Sequence, residues 1–188
     1  MDWQKNQDYN AKFEIIKDRL HNSNCHSVLD IGCNAGRITR LCADNGLFAV
    51  GIDRHVPLKT AGAVESIIYG ACLGQIDLTI GLFSKIPDFD AILMLSMLHQ
   101  IIDVKSENYA KAFTVLAAQK AKKSLIIELS AINRKYGFTN RFTDNDSESL
   151  EEWFKSFLGD IMTCEYIAAT PHNADDEPNR HLFEVRMT

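Results

Sequence analysis

Asp30, Gly32, Gly36 and Asp53 fall within one stretch, Ser27 to Arg54, at a spacing that suits a nucleoside ligand. Gly32 and Gly36 admit backbone dihedrals and close approaches that a side chain forbids, so a ligand can lie against bare backbone there. Asp53 stands about 20 residues past the turn, where a carboxylate accepts hydrogen bonds from both ribose hydroxyls. Further on, His99 offers an imidazole, a group that titrates near neutrality and suits a general base. The other reading of His99 is a side chain that hydrogen-bonds backbone and shapes a pocket. Glu128 interrupts an apolar run, so it faces a site or pairs with a buried cation.

These residues need elements to position them. Ser27–Ile31 is an apolar run of the kind that forms a strand buried on both faces. The turn from Gly32 to Gly36 follows at once. From Arg37 the spacing becomes helical, with Ile38, Leu41 and Cys42 on one face, and Asn45-Gly46 is a stop signal. Leu47 to Ile52 is a second strand with Asp53 at its carboxyl end. Strand, glycine turn, helix, strand and acid together describe a nucleoside-cofactor site.

A dinucleotide fingerprint would place glycines at positions 34 and 37, where this chain has Asn34 and Arg37. That disfavours an NAD(P)-dependent oxidoreductase. The run D-I-G-C-N-A-G, with Asp53 downstream, instead resembles motif I and its acidic follower in the class I S-adenosylmethionine-dependent methyltransferases. The middle glycine of the usual trio is replaced by Asn34. The resemblance implies S-adenosyl-L-methionine as cofactor and S-adenosyl-L-homocysteine as product. It implies that Asp30 lies near the amino-acid end of the cofactor and that Gly32, Cys33, Asn34 and Gly36 pass the homocysteine part. Asp53, followed by Arg54, would hold the ribose. The fold implied is α/β, a doubly wound seven-stranded, mostly parallel sheet with a C-terminal antiparallel strand pair.

The remaining chain is consistent with that order. A third strand is expected at Gln75 to Ile80, with Gly81-Leu82-Phe83 beyond it, and a helix from Leu58 to Tyr69 before it; Ser66 to Leu73 is an alternative strand. In the family such a tip flanks the adenine, often with an acid nearby. With no acid seen at this tip, Leu82 and Phe83 are expected to read the base by backbone and packing, or to form a plain apolar turn. Ala91 to Ser96 is the central strand, and its sequel M-L-H-Q-I-I resembles the family's motif IV. Leu95, Ser96 and Met97 should line the cofactor, with His99 on a following turn.

A helix follows from Ser106 to Lys122, with Ser106 as N-cap and Tyr109, Ala112, Phe113, Leu116 and Ala117 on one face. Lys120, Lys122 and Lys123 are expected to close its last turn, where they favour the helix dipole. Ser124 to Ser130 is a strand, Ser147 to Leu158 a helix, and Glu165 to Ala169 and Leu182 to Met187 the last two strands. At the other end, Met1 to Asn24 carries an apolar stripe at Tyr9, Phe13, Ile16 and Leu20. This helical segment (1–24) is either packed on the sheet or, with Trp3 and Tyr9, a lid on the methyltransferase domain (25–188).

Composition bounds the function. With 188 residues, 46% hydrophobic and 24% charged, the chain can bury a core without staples. A net charge of −5 argues against an extended nucleic-acid footprint but leaves room for one phosphate. Five cysteines without paired metal spacing suggest a reduced, cytoplasmic setting and no metal. The opening residues lack a signal-peptide pattern, and no apolar run reaches the roughly 20 residues a membrane span needs. The loop Asn133 to Phe142 belongs on the site's rim, where acceptor specificity resides. Arg134 and Arg141 are candidate anion clamps, Tyr136 a wall, and Arg180 a further contact, though each is also an ordinary solvated loop residue.

D-I-G-C-N-A-G-x-x-T is similar to methyltransferases acting on RNA 5′ phosphates. L-S-M-L-H-Q-I and I-I-E-L-S are similar to those methylating glycan terminal phosphates. These likenesses imply O-methylation of a small or anionic acceptor: a small molecule, a glycan or a phosphate end. The reading from another class is a non-catalytic methyltransferase-like subunit supporting a partner enzyme.

Overall fold

The computed structural model describes residues 9–55, 61–130, 147–171 and 178–188. In chain order the elements are α1 (Tyr9–Asn22), β1 (Ser27–Ile31), α2 (Arg37–Asp44), β2 (Phe48–Asp53), α3 (Ala61–Ile68), β3 (Cys72–Gln75) and α4 (Ile80–Phe83). They continue with β4 (Phe89–Leu95), α5 (Leu98–Val104), α6 (Glu107–Lys120), β5 (Ala121–Ser130), α7 (Ser147–Leu158), β6 (Met162–Pro171) and β7 (Pro178–Met187). The seven strands form one sheet in the order β3-β2-β1-β4-β5-β7-β6. Strands β3 to β5 are mutually parallel, and β7 runs antiparallel between β5 and β6. The order reverses between β1 and β4, and open sheets bind ligands at such a switch point, outside the strands' carboxyl ends.

Both sheet faces are covered by apolar side chains, as the unbroken runs of β1, β4 and β5 require. On one face Phe83, Phe113, Leu150, Phe154 and Phe183 pack with Ile92 and Ile127. On the other, Phe13, Ile16 and Leu20 of α1 join Ile38, Cys42, Leu93 and Ile126. Phe13, Ile16 and Leu20 of the α1 stripe are thus buried against the sheet. Trp3 lies outside the described residues.

Several elements depart from the sequence reading. The third strand lies at Cys72–Gln75, not 75–80, because Leu73 is keyed into the sheet-facing side of the glycine turn. A Cβ on Gly36 would meet its Cδ2 at 2.5 Å, and one on Gly51 at 2.9 Å. Thr79 then caps α4, its side chain accepting from the Leu82 N–H, so the residues expected to finish a strand begin a helical turn instead. Lys122 and Lys123 do not close α6, since the chain enters β5 at Ala121, paired with Phe89. Ala112 of α6 is exposed, and the buried face is Ala110, Phe113, Thr114, Ala117 and Ala118. The C-terminal hairpin is longer than its apolar runs, because pairing continues to Pro171 and Pro178. The Ser106 cap, which accepts from the Tyr109 N–H, stands as read.

Candidate functional site

The turn after β1 is fixed by its own backbone. The N–H groups of Gly32 and Cys33 both donate to the Ile52 carbonyl, at 2.8 and 3.2 Å. Positive φ values at Gly32 (81°), Asn34 (51°) and Gly36 (76°) fold the segment back over the sheet's edge. A Cβ on Gly32 would stand 3.2 Å from Met97 Cβ, so the missing side chains admit protein neighbours as well as any ligand. At Gly36 the space belongs to Leu73. Cys33 is held in a similar way: its side chain is buried against Gly51 and its N–H is taken by Ile52, so it packs the turn to the sheet. Burial pushes its thiol well above the ordinary range.

Asp53 closes the turn from the other side. Its Oδ2 accepts the Asn34 N–H at 3.0 Å and its Oδ1 the His55 N–H at 2.9 Å. Each oxygen keeps a further lone pair, so the carboxylate is oriented and still able to take two hydroxyls. Arg54 follows, exposed. With β3 ending at Gln75, beside Asp53, the strand's tip is Ile76-Asp77-Leu78. The Ile76 N–H donates to the Asp53 carbonyl at 2.9 Å, and Asp77 is exposed. An acid therefore does stand at the third tip. It was hidden in the sequence because the strand was read a few residues too late. Phe83 is 0% exposed and stacks on Phe113 at 5.0 Å, which makes it a core residue, while Leu82 is exposed on α4.

Asp30 is buried on β1, where its Oδ2 accepts the Thr39 hydroxyl at 2.7 Å. Burial pushes its carboxyl up to about 6; the Thr39 hydrogen bond opposes this and the Asp53 charge adds to it. A carboxylate held this way attracts a cation. Thr39 was missed by the sequence reading, although a threonine between Ile38 and Cys42 on a helix's buried side is a signal that something polar lies beneath it.

On the other side of the switch point, β4 ends at Leu95 and Ser96 adopts φ 57°, a left-handed conformation unusual for serine. That turn aims the Ser96 hydroxyl at Glu128, whose Oε1 accepts it at 2.7 Å. The same oxygen accepts Arg180 Nη1 at 2.9 Å, and Oε2 accepts Lys12 Nζ at 2.5 Å. Arg180 also donates to the Ser96 hydroxyl. Burial alone would raise the Glu128 carboxyl, but Lys12 and Arg180, with their hydrogen bonds and that of Ser96, hold it down to about 2. Of the two readings of Glu128, the buried cation partner is what the structure contains, and there are two of them. Lys12 was missed; it lies three residues past Tyr9 on the apolar side of α1.

His99 is not on a turn but in the first turn of α5, a helix too short to announce itself by periodicity, and it is buried. Leu95 and Met97 are partly buried beside Ser96. Arg134, Tyr136 and Arg141 lie outside the described residues. All five cysteines are free. Among the described residues no group of three or more histidine, cysteine or acidic side chains is set to hold a metal, and no helix is long and apolar enough to cross a membrane.

The fold recurs in solved structures. The bifunctional kinase-methyltransferase WbdD superposes with a TM-score of 0.72 at 19% identity, over 96% of this chain and 40% of that one. The methyltransferase domain of bacterial CtHen1-C gives 0.63 at 16% identity, over 94% and 96%. Magnesium protoporphyrin IX methyltransferase (ChlM) from Synechocystis PCC 6803, with bound SAH, gives 0.65 at 14%, over 95% and 83%. The chain thus spans two-fifths of the length of WbdD. No protein-family model and no curated protein matches the sequence. Topology, glycine turn and these likenesses agree: the chain has the Rossmann-like fold of the class I methyltransferases.

Proposed function

We propose that this chain is an S-adenosylmethionine-dependent methyltransferase that methylates oxygen on a small or anionic acceptor. The observation that carries the reading is Asp53. Both its oxygens are pinned by backbone N–H groups, one of them from the glycine turn, and both remain able to accept a ribose hydroxyl. The rest of the rim fits the same group. Asp77 at the tip of β3 suits an adenine amino group, with the neighbouring backbone to read the ring. Asp30, buried with Thr39 bonded to it, suits the cationic amino-acid end. Met97, against Gly32, closes the wall between them.

Bound there, the cofactor supplies a sulfonium methyl group, which an acceptor lone pair takes as the sulfur–carbon bond breaks and its electrons stay on sulfur. The protein's contribution is orientation, which can supply much of the rate in a displacement. An anionic oxygen needs no base. On this reading His99, buried in α5, shapes the floor beneath the acceptor. Isothermal titration with S-adenosylmethionine and S-adenosylhomocysteine tests the assignment, and micromolar binding of both is expected. Absence of binding from a folded sample would favour the non-catalytic subunit.

A further inference from the structure

Among the described residues, the side chains that meet at the end of β4 do not balance in charge. Lys12 and Arg180 carry two positive charges, and among the described residues the one acid bonded to them is Glu128. All three are buried, with Lys12 at 6%, Arg180 at 8% and Glu128 at 0% exposure. An excess charge removed from water costs several kcal/mol unless something neutralises it. At the opposite end of the same strands a second cluster shows the balanced alternative. There Arg19 and Arg186 bond to Glu184, and Arg19 also to Glu165, two cations against two acids. The unbalanced cluster is the one on the ligand rim. Ser96 bonds within it, while the next residue, Met97, lies against Gly32. The strained backbone at Ser96 ties the two together, as strain at functional sites often does.

We propose that Lys12 and Arg180, sharing Glu128, form a binding site for one terminal oxyanion of the methyl acceptor, a carboxylate or a phosphate monoester. The inference rests on the methyltransferase reading above. An anion of charge −1 brings the cluster to neutrality. Glu128 fixes where the two cations stand, and Ser96 sets their distance from the cofactor turn. Methylating a carboxylate removes its charge, so the product would be held more weakly than the substrate.

The test uses the full chain saturated with S-adenosylhomocysteine, titrated by calorimetry with inorganic phosphate and, separately, acetate. Saturable binding of at least one is expected, and the stronger of the two identifies the class of oxyanion. Arg180→Met and Lys12→Met each leave one cation on one carboxylate, a balanced pair compatible with folding. Both should weaken the anion at least tenfold, Arg180→Lys should retain most of the binding, and Lys120→Met, at the C-terminal end of α6, should change nothing. No saturable binding of either anion to the wild type, or equal binding by Arg180→Met, would overturn the proposal. So would a different pattern: Arg180→Met weakening S-adenosylhomocysteine but not 5′-methylthioadenosine, which lacks the amino-acid part. That result would give the cations to the cofactor's own carboxylate. Cofactor titration without added anion reports on the methyltransferase reading separately, so the two can fail independently.

Discussion

Asp30 and Glu128 are both buried carboxylates near the carboxyl ends of strands separated only by β4, and they are driven in opposite directions. Burial raises both. At Asp30 a threonine hydroxyl is too weak to offset it, so the carboxyl rises to about 6. At Glu128 burial is overcome by Lys12 and Arg180, and the carboxyl falls to about 2. The difference divides the rim in two. The half built on β1, β2 and the tip of β3 gathers acids, Asp30, Asp53 and Asp77, and suits a cationic nucleoside. The half built on β4, β5 and β7 carries, among the described residues, two cations on one acid, the arrangement proposed above to take an anion. Charge complementarity of this sort orients two reactants toward each other before any contact is made.

The sharpest way to break the contrast is Glu128→Ala. It strands two buried cations, and removal of one member of a buried ionic group costs about 3–5 kcal/mol. Urea denaturation at neutral pH should show that loss. Were stability unchanged, the cluster would not be the buried network described.

The two carboxylates should also give opposite pH signatures. A raised carboxyl favours the folded state most when protonated, so the Asp30 contribution is complete below the ordinary carboxylate value and is lost as pH rises through about 6. A lowered carboxyl does the reverse: the Glu128 contribution is present above its ordinary value and is lost as pH falls through about 2. The Asp30 effect is on the order of 3 kcal/mol. Asp30→Asn should therefore gain on the wild type as pH is raised from 4 to 8, as followed by urea midpoints, while losing affinity for S-adenosylmethionine. Parallel profiles for the two proteins would show that Asp30 is not the strained group.

The smallest effect expected is on cofactor binding. Asp53→Ala should weaken S-adenosylhomocysteine by about 1–3 kcal/mol, the scale for losing hydrogen bonds to a charged group, and should leave anion binding on the other half intact. Unchanged cofactor affinity in calorimetry would remove the ribose role from Asp53.

What could be read before the structure is what local chemistry dictates. The run from Ser27 to Arg54 contains its own strand, turn, helix and strand, and the Asn45-Gly46 stop and Ser106 cap act within a few residues of themselves. The third strand was misplaced because Gln75 to Ile80 is apolar enough for a strand. Its true register depends on Leu73 meeting Gly36 and Gly51, residues distant in the chain. That slip also concealed Asp77 and misassigned Phe83, which local hydrophobicity cannot distinguish from a ligand wall. The α5 helix went unseen because about two turns are too few to show a period.

Legible in the sequence alone were the sheet-forming runs, the glycine turn and the spacing from turn to Asp53, and hence a Rossmann-like α/β fold. Those features depend on dihedral freedom, side-chain period and short loops, all encoded within a few residues. Only the tertiary structure decided the charge of the rim. Lys12 and Glu128 are 116 residues apart, and Arg180 a further 52. Each taken alone is an ordinary polar residue. Packing α1 onto β5 and threading β7 beside it brings the three together away from water, where the low dielectric strengthens their mutual interaction.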